Sequence, residues 1–407
     1  MAQLDEIIAE EIRRDGSMTF ARFMDLALYH PQLGYYSGGG SGREPVGWAG
    51  DFFTSGDVSP LWGWALAKQL HQMWQSLGSP ARFDVIEPGA GRGLLAASVW
   101  RYALALDERW ATALRYTLVD RAAPDAPLRA AREARLAAEL AAIPAPQGAV
   151  RWAPALDQAT SDGPVTGCVI SNELLDALPV HRIEARGGAL LEVYVALEPE
   201  SGRLVETLAE PSSERVANYL DDYRIPWREY PDGWRAEVCP AAEDWTREVA
   251  GKLGAGFMLT LDYGASARRL YTRDRRRGTL MAYTRHRLSE RPLATPGQQD
   301  LTAHVNFSAV AKVGAAEGLS VVRYTSQAAL LSGLGIREQA ETSAARLYPY
   351  AEIERHTDRG QADMLRRSAL RNAVTTLLNP HGLGGFRALT QGRGLASTLR
   401  ISSSGAR

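Results

Sequence analysis

Apolar residues recur in short runs along this chain, and amphipathic stretches separate most of these runs. The runs at 83–87 (FDVIE), 116–120 (YTLVD), 167–171 (GCVIS) and 257–264 (FMLTLDYG) predict buried β-strands. Apolar positions with a helical repeat predict helices at 3–14, 19–29, 58–77, 92–106, 127–142, 241–253 and 308–317. Strands that alternate with helices are typical of a parallel sheet with helices on both faces.

The remaining pattern predicts how this sheet is extended and closed. A weaker strand is predicted at 149–153, and the alternation at 181–198 around two glycines predicts a β-hairpin. A strand at 319–325 precedes a helical stretch at 326–380 and a last strand at 385–391. A helical insertion before one last strand fits a sheet that an antiparallel pair of strands closes.

Composition adds limits rather than a function. The chain has 407 residues and a net charge of −1, so charge gives no argument for binding nucleic acid or an anionic membrane. Cys168 and Cys239 lie far apart without metal-type spacing, as expected in a reducing compartment. No apolar run approaches the ~20 residues of a membrane-spanning helix. We expect a cytoplasmic protein that binds no nucleic acid or metal, does not insert into membranes, and could form a homodimer.

The sharpest local signal is a glycine turn, EPGAGRG at 87–93, directly after a predicted strand and before a helix. Glycines let the backbone approach a ligand closely, and the helix N-terminus offers free N–H groups. Asp120 ends the next strand, where a carboxylate can accept both hydroxyls of a ribose. Leu94 stands where a dinucleotide fingerprint has Gly or Ala, so the alternating glycines favour a methyl-donor pocket over a nicotinamide or flavin site. A purely structural turn remains the alternative.

A second signal, NELLDALP at 172–179, follows the fourth strand. Ligands of open α/β sheets bind at the carboxyl ends of the strands, which is where this loop emerges. Glu173 and Asp176 could hold a cationic substrate or act as general base. The alternative is a helix capped by Asn172, with two solvated carboxylates.

Six motifs in this order resemble the MidA-like methyltransferases, a family that includes a mitochondrial complex I assembly factor. The motifs are GDFFTS (50–55), EPGAGRG (87–93), NELLDALPV (172–180), EVCPAA (237–242), LDYG (261–264) and DLTAHVNFS (300–308). The resemblance covers roughly residues 15–340. It implies a class I, Rossmann-like sheet of seven strands and S-adenosyl-L-methionine as cofactor. It also implies methylation of an arginine nitrogen in a respiratory complex I subunit.

The resemblance also implies roles for individual residues. Glu173 and Asp176 would be catalytic, because they would face the acceptor nitrogen. The segment at 51–55 would close over the methionine end of the donor, the glycine turn would line it, and the carboxylate after the second strand would bind its ribose. The residues assigned to the cofactor are Asp51, Thr54, Ser55, Glu87, Gly89, Gly91, Gly93, Asp120 and Asn172.

The predicted organisation places the methyltransferase core at 51–325, with a hairpin addition at 181–240. An N-terminal helical cap and glycine-rich loop occupy 1–50, the helical insertion 326–380, and the last strand and tail 381–407. The glycine-rich loop at 37–50 is expected to be mobile.

Departures from the family pattern concern the acceptor. The family commonly has Gly-Pro-Gly at 88–90, and a His-Glu-Phe-Phe-Asp version of the loop at 172–176. Two alternatives therefore remain, a small-molecule O- or N-methyltransferase of a biosynthetic pathway and a donor-binding assembly chaperone with little catalysis. The retained Glu173 and Asp176 argue against the chaperone.

Overall fold

The computed structural model describes residues 3–37, 44, 47, 51, 54–120, 127–141, 148–284, 287–347 and 358–395. Of the predicted mobile loop at 37–50, only Ser37, Glu44 and Gly47 are among them. The helices span Gln3–Asp15, Phe20–Tyr29, Ser55–Val58, Pro60–Ser76, Leu94–Leu106, Glu108–Ala113, Pro127–Ala141, Leu156–Ala159, Glu214–Asp222, Pro240–Lys252, Ala267–Leu270, Phe307–Ala316, Gln327–Gly333, Ile336–Leu347 and Asp358–Leu378.

Most strands belong to two sheets, and the others form a two-stranded and a three-stranded sheet. In chain order they are β1 (Met18–Thr19), β2 (Phe83–Pro88), β3 (Leu114–Val119), β4 (Val150–Ala153), β5 (Val165–Asn172), β6 (His181–Arg186), β7 (Ala189–Leu197), β8 (Leu204–Ala209), β9 (Trp234–Val238), β10 (Leu253–Asp262), β11 (Gly264–Ala265), β12 (Met281–Thr284), β13 (Arg287–Ser289), β14 (Asp300–Thr302), β15 (Val305–Asn306), β16 (Ser320–Ser326) and β17 (Arg387–Arg393).

The central sheet has seven strands in the order β16-β17-β10-β5-β2-β3-β4. The strands from β10 to β4 run parallel, and β17 lies antiparallel between β10 and β16. This is the predicted class I methyltransferase fold, with the helical insertion before the last strand. The chain leaves β2 toward β3 and β4 and later returns through β5 on the other side. The boundary between β2 and β5 is therefore the topological switch point where such sheets bind ligands.

Glycine lets the middle strands approach one another. A Cβ built on Gly167 of β5 would lie 1.9 Å from the carbonyl oxygen of Asp84 in β2. A Cβ on Gly256 of β10 would lie 2.1 Å from the carbonyl oxygen of Gly167. No side chain fits at either position, so both glycines serve the packing of the sheet.

Helices cover both faces of this sheet, and each face has its own apolar core. One core contains the tryptophans of Pro60–Ser76 and Leu94–Leu106, and the other contains the apolar face of Pro240–Lys252. Both faces of β5 and β10 are buried, which explains their near-continuous apolar sequences. No helix among the described residues is long and apolar enough to cross a membrane.

A second sheet carries the N-terminal helices. Its order is β1-β7-β6-β9, with β8 beside β7, and β6 and β7 form the hairpin predicted at 181–198. Thr19 is the N-cap of the helix Phe20–Tyr29 and accepts a hydrogen bond from the Arg22 N–H at 3.1 Å. The pairing of β1 with β7 attaches the N-terminal extension to this sheet.

Candidate functional site

A cavity of about 600 Å³ lies at the switch point, between the glycine turn after β2 and the acidic loop after β5. Its volume is within the range of pockets that hold small organic ligands. Asp51, Ser55, Gly93 and Asp176 are not among the residues that line it. The predicted site residues that do line it are Thr54, Glu87, Gly89, Gly91, Asp120, Asn172 and Glu173.

The glycine turn forms one wall of the cavity, and at Gly89 and Gly91 this wall is bare backbone. Gly89 and Gly91 have φ values of +70° and +52°, in the left-handed region that favours glycine. A Cβ on Gly89 would lie 2.8 Å from Cδ1 of Leu174 in the acidic loop. A side chain here would be strained and would fill the space between the two loops.

Unlike Gly89 and Gly91, Gly93 does not line the cavity. It is the N-cap of the helix Leu94–Leu106, with a φ of +71°. A Cβ there would lie 2.8 Å from Leu136 Cδ2 and 3.0 Å from Leu118 Cδ2. Gly93 therefore allows the helices and β3 to pack behind the turn rather than contacting the cavity.

Glu87 lines the cavity at the end of β2, yet its side chain is almost wholly buried. The Tyr116 hydroxyl donates a hydrogen bond to its Oε2 at 2.8 Å. Burial raises the pKa of Glu87 to about 8, and the tyrosine hydrogen bond opposes this only in part. A positively charged ligand group beside Glu87 would favour the ionised carboxylate.

The raised pKa of Glu87 predicts how stability depends on pH. The folded state holds this proton up to about pH 8, whereas the unfolded state loses it near the ordinary value of 4.5. The contribution of Glu87 is complete below pH 4.5 and is lost as the pH rises to 8, at a slope of up to about 1.4 kcal/mol per pH unit. We expect Glu87→Gln to flatten the fall of the unfolding free energy between pH 5 and 8, measured by urea denaturation without ligand. An unchanged slope would contradict the assignment.

Asp120 follows β3 beside the glycine turn, since the Gly89 N–H donates to the carbonyl oxygen of Val119 at 2.9 Å. The Asp120 N–H donates to the carbonyl oxygen of Ala153 at 3.3 Å, which fixes it between β3 and β4. Arg132 Nη1 donates to Asp120 Oδ2 at 2.8 Å, and Arg132 also lines the cavity. The predicted ribose ligand is thus held by a buried arginine that the sequence reasoning had not identified.

The segment at 51–58 approaches the cavity from the N-terminal side. Thr54 lines the cavity and caps the helix Ser55–Val58, with its N–H and hydroxyl donating to Asp57 Oδ2 at 2.9 and 3.0 Å. Asp57 also forms an ion pair with Arg92 of the glycine turn. Asp51 is buried and accepts a hydrogen bond from the Tyr35 hydroxyl at 3.1 Å. The ion pair between Asp57 and Arg92 therefore joins this segment to the glycine turn.

Ser55 does not line the cavity, but its backbone N–H contacts a residue that does. Its N–H donates to Glu173 Oε1 at 3.3 Å. Its hydroxyl is held by the buried Gln327, whose Nε2 donates to Ser55 Oγ at 3.1 Å. Gln327, at the start of the helical insertion, also accepts a hydrogen bond from Trp62 Nε1 at 3.4 Å. The insertion thus supports the segment that contacts Glu173.

Glu173 has an unusual backbone conformation for a residue with a side chain. Its φ is +50°, and its N–H donates to the carbonyl oxygen of Leu261 in β10 at 2.9 Å. Its Oε1 accepts hydrogen bonds from the Ser55 N–H and from Asn172 Nδ2 at 3.2 Å. Burial, followed by the nearby Asp176, raises the pKa of Glu173 to about 8. Strained backbone that supports a buried carboxylate is typical of functional sites.

Asp176 belongs to the acidic loop but does not line the cavity. Its N–H and that of Leu175 donate to Asp262 Oδ2 at 3.3 and 2.9 Å. Burial raises the pKa of Asp176 to about 6, while a hydrogen bond from Tyr263 acts to lower it. Its predicted contact with an acceptor stays a prediction. Asp262, which the sequence reasoning did not single out, fixes the loop that carries Glu173.

Two tyrosines of the N-terminal extension line the cavity, and neither was predicted. The rings of Tyr29 and Tyr36 stack with centroids 5.6 Å apart. The Tyr36 hydroxyl donates to Asp300 Oδ1 at 3.0 Å, and burial raises the pKa of Asp300 to about 8. Asp300 lies in the DLTAHVNFS motif far along the chain, so no local pattern connected it with Tyr36.

The relatives with curated descriptions are arginine methyltransferases. The "Protein arginine methyltransferase NDUFAF7, mitochondrial" of Rattus norvegicus is 24% identical over 316 residues, which are 73% of this chain and 66% of that protein. The Drosophila melanogaster homolog is 27% identical over 334 residues, 76% of this chain and 69% of that protein. The chain thus spans about two thirds of the length of these relatives.

Two crystal structures from Burkholderia thailandensis are similar to this chain. A COG1565 superfamily member bound to S-adenosyl-homocysteine is 30% identical with a TM-score of 0.82, covering 97% of this chain and 92% of that one. A native structure of an uncharacterized protein of that superfamily is 29% identical with a TM-score of 0.78, covering 99% and 96%. The likeness therefore extends over the whole fold, including the N-terminal extension.

The matching family and the cavity indicate one cofactor. Residues 65–325, more than half of the chain, match the family described as "Putative S-adenosyl-L-methionine-dependent methyltransferase". The cavity fits S-adenosylmethionine, because its lining combines backbone at Gly89 and Gly91 with the carboxylates of Glu87 and Asp120, the predicted partners of the methionine ammonium and the ribose. The chain belongs to this family and is an S-adenosylmethionine-dependent methyltransferase.

Proposed function

We propose that this chain methylates a guanidinium nitrogen of arginine in a protein acceptor. The observation that carries the proposal is Glu173, a carboxylate in the cavity wall that is held from Oε1 by the Ser55 N–H and by Asn172. Both hydrogen bonds from the described residues reach Oε1, so Oε2 is available to a cation in the cavity. The relatives named as protein arginine methyltransferases support the same acceptor.

Charge explains why a carboxylate suits this acceptor. A guanidinium does not lose its proton in water at neutral pH, and the donor sulfonium is also positive. Two cations in one partly dry pocket repel each other unless negative charge compensates them. An ionised Glu173 would supply that charge and would orient the planar guanidinium through charge-assisted hydrogen bonds.

The protein's own contribution to the reaction is alignment and electrostatics. When bound, S-adenosylmethionine supplies a methyl group attached to a positively charged sulfur. Glu173 would orient one acceptor nitrogen toward the end of the cavity near Glu87, and the stacked rings of Tyr29 and Tyr36 would exclude water and contact a cation. The backbone contacts of Ser55 and Leu261 would hold Glu173 in place before the acceptor arrives.

The acceptor protein that the sequence resemblance implies is a subunit of respiratory NADH dehydrogenase. The test uses the purified chain, S-adenosylmethionine with a tritiated methyl group, and peptides that tile the arginines of those subunits. We expect label on a small set of arginine peptides and much less on matched peptides with lysine at the same position, because lysine lacks the planar fork of donors. Methylation of small metabolites but of no peptide or intact subunit would contradict the proposal and favour a biosynthetic enzyme.

A further inference from the structure

Arg132 connects the donor site with the N-terminal extension. It belongs to the helix Pro127–Ala141, lines the cavity and is only 5% exposed. Its Nη1 donates to Asp120 Oδ2 at 2.8 Å, while its Nε and Nη2 donate to Glu44 Oε2 and Oε1 at 2.9 and 2.8 Å. One guanidinium therefore binds two carboxylates that lie far apart in the sequence.

The same part of the extension also lies against the glycine turn. A Cβ built on Gly47 would lie 2.8 Å from Nη1 of Arg92, so the backbone passes closely over that side chain. Arg92 in turn pairs with Asp57. Glu44 and Gly47 of the extension, with Asp57 after it, thus lie against two arginines, and both arginines line the cavity.

We infer that Arg132 is a positioning residue of the donor site and that Glu44 belongs to this site through it. The bidentate pair with Glu44 fixes the plane of the guanidinium, and this fixes the carboxylate of Asp120 that the donor's ribose hydroxyls reach. Because the carboxylate of Asp120 is already held in place before the donor binds, less conformational entropy is lost on binding. The inference concerns the donor alone and does not rest on the proposed acceptor.

A purely structural role for Arg132 predicts a different result. If the arginine only neutralised buried charge, its loss would lower stability without changing the affinity for any ligand that contains the adenosine. If it positions Asp120, the loss must fall on the adenosine part of the ligand. Without Glu44, the fork of Arg132 would turn toward Asp120 and compete with the ribose for its oxygens.

The test is calorimetric titration with S-adenosylhomocysteine and with 5′-methylthioadenosine, which lacks the amino-acid end. We expect Arg132→Met to weaken both ligands by the same factor of about tenfold. Glu44→Gln should weaken both by a smaller factor, and Arg132→Lys, which keeps the charge but loses the fork, should lie between wild type and Arg132→Met. Arg135→Met, an exposed arginine on the same helix, is the matched control.

The double variant Glu44→Gln/Arg132→Met decides whether Glu44 acts through Arg132. We expect it to bind no more weakly than Arg132→Met alone, because the connection is already lost. Wild-type affinity in Arg132→Met, or an equal loss in Arg135→Met, would overturn the inference. So would a full additional effect of Glu44→Gln in the double variant. Should Arg132→Met fail to fold by circular dichroism, wild-type affinity in both Glu44→Gln and Arg132→Lys would overturn it.

Discussion

Glu173→Gln is expected to bind S-adenosylmethionine about as well as the wild type and to lose turnover by about 100- to 1,000-fold. The glutamine has nearly the same shape and retains an acceptor for the Ser55 N–H, so the loop should keep its conformation. It lacks the negative charge that would compensate the acceptor cation. Donor affinity is measured by calorimetry, and turnover is measured by transfer of tritiated methyl to an arginine peptide that the wild type methylates.

Glu248→Gln is the matched comparison for this prediction. Glu248 also lines the cavity, but it belongs to the helix Pro240–Lys252. Glu173 instead follows β5 and accepts a hydrogen bond from the Ser55 N–H. We expect Glu248→Gln to lose clearly less turnover, because the position of the charge matters more than its sign alone. Equal losses would mean that the cavity needs only net negative charge. Near wild-type turnover in Glu173→Gln would remove Glu173 from the mechanism.

Asp120→Ala is expected to lower the affinity for S-adenosylmethionine about 100-fold, because two charge-assisted hydrogen bonds to the ribose are lost. The same change leaves the buried Arg132 with fewer acceptors, which adds a cost in the free protein. Calorimetric titration measures the loss directly. Asp162→Ala, an aspartate that pairs with Arg82 at the protein surface, should bind like the wild type. Unchanged affinity in Asp120→Ala would place the ribose elsewhere.

The parts of the site that could be predicted are those with a local signature. The glycine turn is recognisable because left-handed φ values and a following helix leave a pattern within seven residues. Asp120 could be predicted from its place after a parallel strand. Each of these signals depends on one strand and the loop that follows it.

Contacts between distant segments could not be predicted in this way. Arg132 is one of many arginines, and only the fold brings it between Asp120 and Glu44. Tyr36 and Asp300 are 264 residues apart. Asp176 stays a predicted acceptor contact, and its backbone N–H donates to Asp262, 86 residues along the chain. The strand Trp234–Val238 was also missed, although its five residues, WRAEV, alternate between apolar and polar.

The place of β17 in the central sheet has a consequence for synthesis on the ribosome. This strand, Arg387–Arg393, lies between β10 and β16, although both are translated long before it. Until it emerges, β10 exposes an unpaired edge of apolar backbone, and such edges pair readily with other chains. A nascent chain halted before Arg387 should therefore aggregate or recruit chaperones. It should leave the chaperones only after β17 has been made and has closed the sheet.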